Sequence, residues 1–224
     1  MARKTLNTLG ELKGGIPRPS TIYDDLILFP NPYKNISTRD KMFLRDRALV
    51  ALLYVACLRV SEALRLTKAQ FENKGDYVLI STIKLSKRRP GNIKYREARL
   101  PLKGNRVCFT KLVMDYLETL EPSERLFPWS LRERTFTIKN HTYRLRDGQV
   151  KDRKSVQIVG TKRAYQIVHT MLPDWTQHWL RAFGESYLYD LWDHDIVAVA
   201  DQVKVDTRTV EKYLVHRSAQ YKAV

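Results

Sequence analysis

The sequence predicts an α+β fold that is mainly α-helical and contains one small antiparallel sheet. Several segments carry apolar residues at helical spacing, and residues 42–56 are apolar almost throughout, as in a buried helix. By contrast, residues 77–83 are rich in β-branched and aromatic side chains. With 224 residues, 43% of them hydrophobic, the chain is long enough to bury this core without disulfides or metal.

The chain divides into an N-terminal arm or linker, residues 1–36, and a folded domain, residues 37–224. The arm contains two adjacent glycines and four prolines and shows no sustained period, so we expect at most a short helix within residues 6–12. Ser37 or Thr38 then offers an N-cap for the buried helix.

The folded domain continues with a second short helix and the sheet. The short helix is predicted at 63–67, after the break at 58–62. The strand at 77–83 leads into a long basic hairpin tip and returns over 95–102. Apolar spacing predicts a helix over 107–120. Residues 135–160 are polar and β-leaning, with Asp147-Gly148 as a hairpin turn. Four further helices are predicted at 162–171, 175–189, 195–203 and 207–219.

Charge and cysteine usage narrow the class of protein. The formal net charge is +16, with basic residues all along the chain, which favours phosphate backbones as partners but also suits ribosomal and membrane-surface proteins. Cys57 and Cys108 lie in apolar stretches without metal-ligand neighbours, as expected for reduced, buried thiols. No apolar run is long enough to span a bilayer and the start lacks a signal-peptide core, so we expect a cytoplasmic protein.

Four short motifs, in order along the chain, contain the candidate catalytic residues. Arg59 begins the sequence Arg-Val-Ser-Glu at a break between helices. Lys84 ends the first strand of the hairpin. His178 and Arg181 lie three residues apart, on one helix face, in His-Trp-Leu-Arg, and Tyr213 ends Thr-Val-Glu-Lys-Tyr. Each motif alone is ordinary; their order and spacing together are not.

This set of motifs resembles the catalytic domain of the tyrosine recombinases, the phage-integrase family, over roughly residues 40–220. The resemblance implies that Arg59 and Arg181 bind the scissile phosphate, that Lys84 is the general acid and that His178 assists proton transfer. It further implies that Tyr213 is the nucleophile, forming a covalent 3′-phosphotyrosine, and that neither metal nor ATP takes part. The function expected is that of a site-specific DNA recombinase or integrase.

Three departures from the family pattern are present. Lys204 stands where family members usually carry histidine or tryptophan, so it is a candidate catalytic residue. Lys87, in the lysine-rich hairpin, competes with Lys84 for the role of general acid. About 40 residues precede the catalytic domain, which leaves no room for the usual helical domain before it and puts autonomous recognition of a DNA site in doubt.

Double-stranded DNA is the expected partner. Basic side chains are expected to hold its backbone: Lys87, Arg88, Arg89, Lys94, Lys162, Arg163 and Arg208. The resemblance implies a tetramer on DNA, although the short segment after Tyr213 also suits a monomer in the free state. Integration, excision and resolution remain open, as does donation of the tyrosine within or between subunits.

Three alternatives remain. Residues 197–214 also fit a helix-turn-helix, with Val197 and Ala200 facing inward and Tyr213 in the core, as in a non-catalytic regulator. A DNA-binding relic would keep the fold without the chemistry, with Lys204 as a mark of decay. A type IB topoisomerase would share the chemistry without strand exchange.

Overall fold

The structure is a computed structural model that describes residues 17–33, 39–85, 94–121, 125–128, 133–138, 141–146, 159–211 and 214, with backbone alone for residue 39 and for 133–138 and 141–146. The described helices are α1 Pro19–Leu28, α2 Arg39–Val55, α3 Val60–Ala63, α4 Val107–Glu118, α5 Thr161–Met171, α6 Gln177–Leu191 and α7 Ile196–Val203. Residues 207–211 and 214 are also helical. The predicted α+β class, mainly helical with a small antiparallel sheet, is confirmed.

The main sheet has three antiparallel strands in the order β1 Phe71–Asn73, β2 Tyr77–Lys84, β3 Tyr95–Pro101. The register of β2 on β3 shifts between Ile80 and Ile83, where a bulge interrupts the ladder. β1 was not predicted, because three residues give no readable alternation and the strand exists only through its pairing with β2.

A separate two-stranded sheet is formed by β4 Glu133–Ile138 and β5 His141–Arg146. Ile138 pairs with His141, so only residues 139 and 140 separate the two strands. The predicted hairpin turn at Asp147-Gly148 therefore does not join them. That dipeptide, like residues 149–158, lies outside the described residues.

Helix α2 is the centre of the core, as its apolar sequence predicts. From Ala48 to Val55 every side chain is buried, because α4 and α6 pack on this helix. A helix that is hydrophobic on all sides is stable only when it is enclosed in this way.

Helix α1 lies in the segment that the sequence predicted to be an arm or linker. Its Ile22 and Leu26, one turn apart, are fully buried in the main core. Arg47 of α2 donates hydrogen bonds to the carbonyls of Leu26 (3.1 Å), Ile27 (2.6 Å) and Phe29 (3.3 Å), which satisfies the C-terminal end of α1. Residues 6–12, where a short helix was expected, lie outside the described part, and the domain boundary at residue 36 stays a prediction.

The C-terminal helices form a second, smaller apolar cluster. Val199, Ala200 and Val203 of α7 pack with Val210 and Leu214. Cys57 and Leu188 attach this cluster to the rest of the molecule. The helix-turn-helix alternative placed Val197 inward, but its side chain is 65% exposed, so that part of the prediction was wrong.

The short helix predicted at 63–67 begins earlier, at Val60.

Candidate active site

Arg59 lies at the turn between α2 and α3. It is the N-cap of α3, in extended conformation (φ −71°, ψ 147°), and Glu62 occupies the third helical position. The backbone N–H of Arg59 donates to Oε2 of Glu62 at 3.1 Å, and its Nη1 donates to Oε1 at 3.0 Å. Glu62 is fully buried, whereas the Arg59 side chain is 21% exposed. The turn thus holds the guanidinium of Arg59 at a partly exposed position next to a buried carboxylate.

Arg181 reaches the same carboxylate from α6. Its Nη1 lies 4.0 Å from Oε2 of Glu62, and its Nε donates to Oε1 of Glu185 at 2.6 Å. Arg181 and Glu185 are one helical turn apart and both are buried. The fold therefore brings together, at one glutamate, two arginines that are far apart in sequence.

The close approach of α6 to α2 depends on a glycine. A Cβ atom at Gly184 would lie 2.8 Å from Sγ of Cys57 and closer still to the carbonyl oxygen of Tyr54. Because Gly184 adjoins Glu185 in α6, the contact sets how near Arg181 comes to Glu62. Only glycine leaves room for this packing.

A third guanidinium, which the sequence analysis missed, completes the cluster. Arg96 occupies an inward position of β3, where it alternates with the buried residues Ala98 and Leu100. Its Nη2 donates to Oε2 of Glu62 at 3.3 Å and to the carbonyl of Cys57 at 3.1 Å. An arginine at an inward position of an alternating strand is the signal that could have identified it.

The two buried carboxyl groups have opposite pKa shifts. Burial acts to raise the pKa of Glu62, but Arg96, Arg181 and the N–H of Arg59 outweigh it, so the pKa of Glu62 is lowered. For Glu185, burial outweighs the attraction of Arg181, and the pKa is raised. The pKa of Arg181 is raised although burial opposes this, because two carboxylates stabilise its charge. Burial lowers the pKa of Arg96, and repulsion from Arg181 adds to this.

Arg181 keeps unused hydrogen-bond donors. Neither Nη1 nor Nη2 has a hydrogen-bond partner within the described part of the chain, and the same holds for Oε2 of Glu185. Buried donors of this kind are costly unless an acceptor satisfies them. The arrangement is suited to an anion that approaches between Arg59 and Arg181.

Three of the other predicted catalytic residues, Lys84, His178 and Lys204, lie at exposed or partly exposed positions. Lys84 is the exposed last residue of β2, opposite Tyr95. His178 is exposed in the first turn of α6. Lys204 caps α7 in the left-handed region (φ 48°) and forms an ion pair with Asp201. It lines a cavity of about 350 Å³ together with Arg96. Tyr213 lies outside the described residues, but its neighbours in sequence, Val210 and Leu214, are buried.

The predicted DNA-binding residues have mixed surroundings. Lys94, Lys162 and Arg208 are exposed. Arg163 is half-buried and donates to the hydroxyl of Tyr33 at 3.2 Å, so part of its hydrogen-bonding capacity is used inside the molecule. Lys87, Arg88 and Arg89 lie outside the described residues.

In the part of the chain that the structure describes, no helix combines the length and the apolar character needed to cross a bilayer.

Comparison with known proteins rests on structure. No protein-family model matches the sequence, and no curated protein does. The XerH site-specific recombinase bound to difH substrate in a pre-cleavage complex aligns with a TM-score of 0.56 and 16% identity, over 90% of this chain and 50% of that one. The XerH post-cleavage complex on palindromic difH gives the same TM-score and identity over 92% of this chain and 50% of that one. The Tn1549 transposon integrase in complex with circular intermediate DNA aligns with a TM-score of 0.48 and 13% identity, over 88% of this chain and 59% of that one.

This chain spans about half the length of the XerH recombinase structures that it matches. At this level of identity the agreement is one of fold. It covers 90% or more of this chain. The chain has the tyrosine recombinase catalytic-domain fold.

Proposed function

We propose that this protein is a site-specific DNA recombinase or integrase that cuts and rejoins strands through a covalent 3′-phosphotyrosine at Tyr213. The observation that carries the proposal is the meeting of Arg59 and Arg181 at Glu62, with Nη1 and Nη2 of Arg181 lacking an acceptor in the described structure. Both XerH structures, which share the fold, are complexes with a recombination substrate.

The two arginines bind the non-bridging oxygens of the scissile phosphate. Guanidinium stays charged at any physiological pH and presents a planar set of donors that matches phosphate. Because Glu62 and Glu185 hold the arginines before substrate arrives, little reorganisation is needed as charge develops in the transition state.

The strand breaks in one displacement. The phenolic oxygen of Tyr213 attacks phosphorus, the bond from phosphorus to the 5′-oxygen breaks, and the tyrosine becomes linked to the 3′-phosphate. The proton of the phenol passes to His178, and the departing 5′-oxygen takes a proton from Lys84. Rejoining reverses these steps with a different 5′-hydroxyl, so the energy of the linkage is retained and neither metal nor ATP is required.

Lys204 adds a donor to the phosphate from the C-terminal end of α7. It is partly exposed and shares a cavity with Arg96, which contacts Glu62. In the present structure its ammonium is paired with Asp201, so binding of the phosphate requires Lys204 to exchange one anion for another.

The duplex is held by the basic surface around this cluster. The formal net charge of +16 supplies a long-range attraction for DNA. Backbone contacts are assigned to the basic residues named from the sequence: Lys87, Arg88, Arg89, Lys94, Lys162, Arg163 and Arg208. On DNA four subunits assemble on two duplexes.

A nicked suicide substrate tests the proposal. Cleavage beside the nick releases a short fragment and traps the enzyme on DNA, so wild type forms a protein–DNA adduct that resists detergent. The Tyr213→Phe variant binds the same duplex without forming the adduct. Equal adduct formation by wild type and variant would refute the assignment of Tyr213, and sequence-specific binding without any cleavage would support the regulator alternative.

A further inference from the structure

One buried arginine outside the proposed catalytic cluster has no carboxylate partner in the described residues. Arg106, the N-cap of α4, is 3% exposed. Its guanidinium carbon lies 4.3 Å from the ring centroid of Tyr187 and 5.8 Å from that of Tyr54. Neither Nε nor Nη1 has a hydrogen-bond partner within the described chain.

The other buried arginines that the structure describes are all paired with a carboxylate. Arg45 contacts Asp46 at 2.6 Å, Arg96 contacts Glu62 at 3.3 Å, and Arg181 contacts Glu185 at 2.6 Å. Removing a charge from water is costly unless a counter-charge and hydrogen bonds compensate for it. Arg106 is the exception in this set, and stacking on two tyrosines supplies only part of the compensation.

Arg106 lines a cavity of about 200 Å³ between β3, α6 and α7. The walls are mostly apolar and include Val55, Ala98, Leu188, Trp192 and Val203. At the rim, Asp76 is already paired with Lys103 at 2.7 Å, so it does not neutralise Arg106. Arg59, Glu62, Arg181 and Lys204 do not line this cavity, which separates it from the proposed catalytic site.

We propose that this cavity is a binding site for a small organic anion, a carboxylate attached to a compact apolar body about the size of benzoate. The carboxylate accepts hydrogen bonds from Arg106, and the apolar body packs on the walls from β3, α6 and α7. Among the charged residues that line the cavity, Asp76 and Arg99 are exposed and Arg106 is buried. A mostly apolar cavity with this buried guanidinium selects for such an amphiphilic ligand over inorganic phosphate, which would leave the apolar walls uncovered.

Occupancy of the cavity would hold α7 against β3. Val203 of α7 and Ala98 of β3 both line the cavity; Lys204 is the C-cap of α7, and Arg96 belongs to β3. A ligand that binds only the folded state also stabilises it by mass action. The inference does not depend on the proposed recombinase function.

Isothermal titration of the full chain with benzoate tests the site, with benzamide as the neutral probe of the same shape. Wild type is expected to bind benzoate with a Kd of about 1 mM or below. Arg106→Met is expected to weaken binding by about 10- to 100-fold, the range for a charge-assisted hydrogen bond. Arg65→Met, which removes an exposed arginine, is the matched control and should bind as wild type does.

A steric variant keeps the test independent of the stability of Arg106→Met. Ala98→Leu fills the cavity without changing its charge and is expected to abolish benzoate binding. Wild type should also prefer benzoate to benzamide by at least about 10-fold. Absence of benzoate binding to wild type, equal affinity for the two probes, or unchanged affinity in Ala98→Leu would each overturn the proposal.

Discussion

Replacement of Gly184 by alanine tests whether the close packing of α6 on α2 sets the position of Arg181. The added Cβ would lie 2.8 Å from Sγ of Cys57 and nearer still to the carbonyl oxygen of Tyr54. Carbon atoms in contact prefer separations of about 3.5–4.0 Å. The backbone carbonyl of Tyr54 has no rotamer by which to move aside, so α6 must shift away from α2 by roughly 1 Å.

Two opposing effects set the expected loss of stability. Overpacking of a core costs about 1–3 kcal/mol, and contact with backbone places Gly184→Ala at the upper end. Alanine in place of glycine within a helix recovers about 1 kcal/mol. The free energy of unfolding should therefore fall by about 2 kcal/mol. Because a misplacement of about 1 Å can cost about 100-fold in rate, adduct formation on the suicide substrate should fall by a similar factor.

Gly160→Ala is the matched control. Nothing lies within 4 Å of the added carbon, and φ at Gly160 is −79°, which alanine adopts freely. Loss of a favourable N-cap residue should cost less than about 1 kcal/mol, without effect on adduct formation. Urea denaturation and single-turnover cleavage measure both quantities. Wild-type stability and cleavage in Gly184→Ala would refute the role assigned to this contact.

Further predictions concern the charged groups. Arg181→Lys keeps the charge but loses the planar donor set, so cleavage should fall about 100-fold with little change in DNA affinity by filter binding. Lys84→Ala should recover activity on a substrate with sulfur at the 5′-bridging position, because the thiolate leaves without an acid; recovery only for Lys87→Ala would transfer the role to Lys87. Glu62→Gln should lower the free energy of unfolding at pH 7 by about 3 kcal/mol. The lowered pKa of Glu62 makes its stabilisation present above the pKa of the unfolded chain and lost as pH falls, so this deficit should shrink toward pH 3. Because the pKa of Glu185 is raised, its contribution to the free energy of unfolding is present at low pH and lost as pH rises, so Glu185→Gln should gain stability relative to wild type as pH rises. Urea denaturation over a range of pH measures both glutamine variants. The same pH trend in the two variants would contradict these assignments.

The regular elements with a strong hydrophobic pattern could be predicted from the sequence. Helices α2, α4 and α6 appear where apolar spacing placed them, within a few residues at each end. Helix α1 could not be predicted, because the backbone carbonyls at its C-terminal end accept hydrogen bonds from Arg47, a residue of another helix. Strand β1 is likewise defined by its partner strand. In both cases tertiary contact, which local pattern does not encode, decides the structure.

The site could be predicted only in part. Order and spacing along the chain singled out Arg59 and Arg181, but not the groups that hold them. Glu62 and Glu185 are buried carboxyl groups that a hydrophobic pattern does not reveal, and the ion pairs of Glu62 with Arg96 and Arg181 join residues that are distant in sequence. The role of Tyr213 stays a prediction.

The balance of charge in the cluster supports the proposal that a phosphodiester binds there. Three guanidinium groups, those of Arg59, Arg96 and Arg181, meet only two carboxyl groups, those of Glu62 and Glu185. The cluster therefore carries excess positive charge, and mutual repulsion between Arg96 and Arg181 opposes its assembly. A phosphodiester brings one negative charge and acceptor oxygens for the unsatisfied nitrogens of Arg181. Because the transition state concentrates more negative charge on those oxygens than the ground state does, the same excess that is costly in the free protein would favour the proposed cleavage.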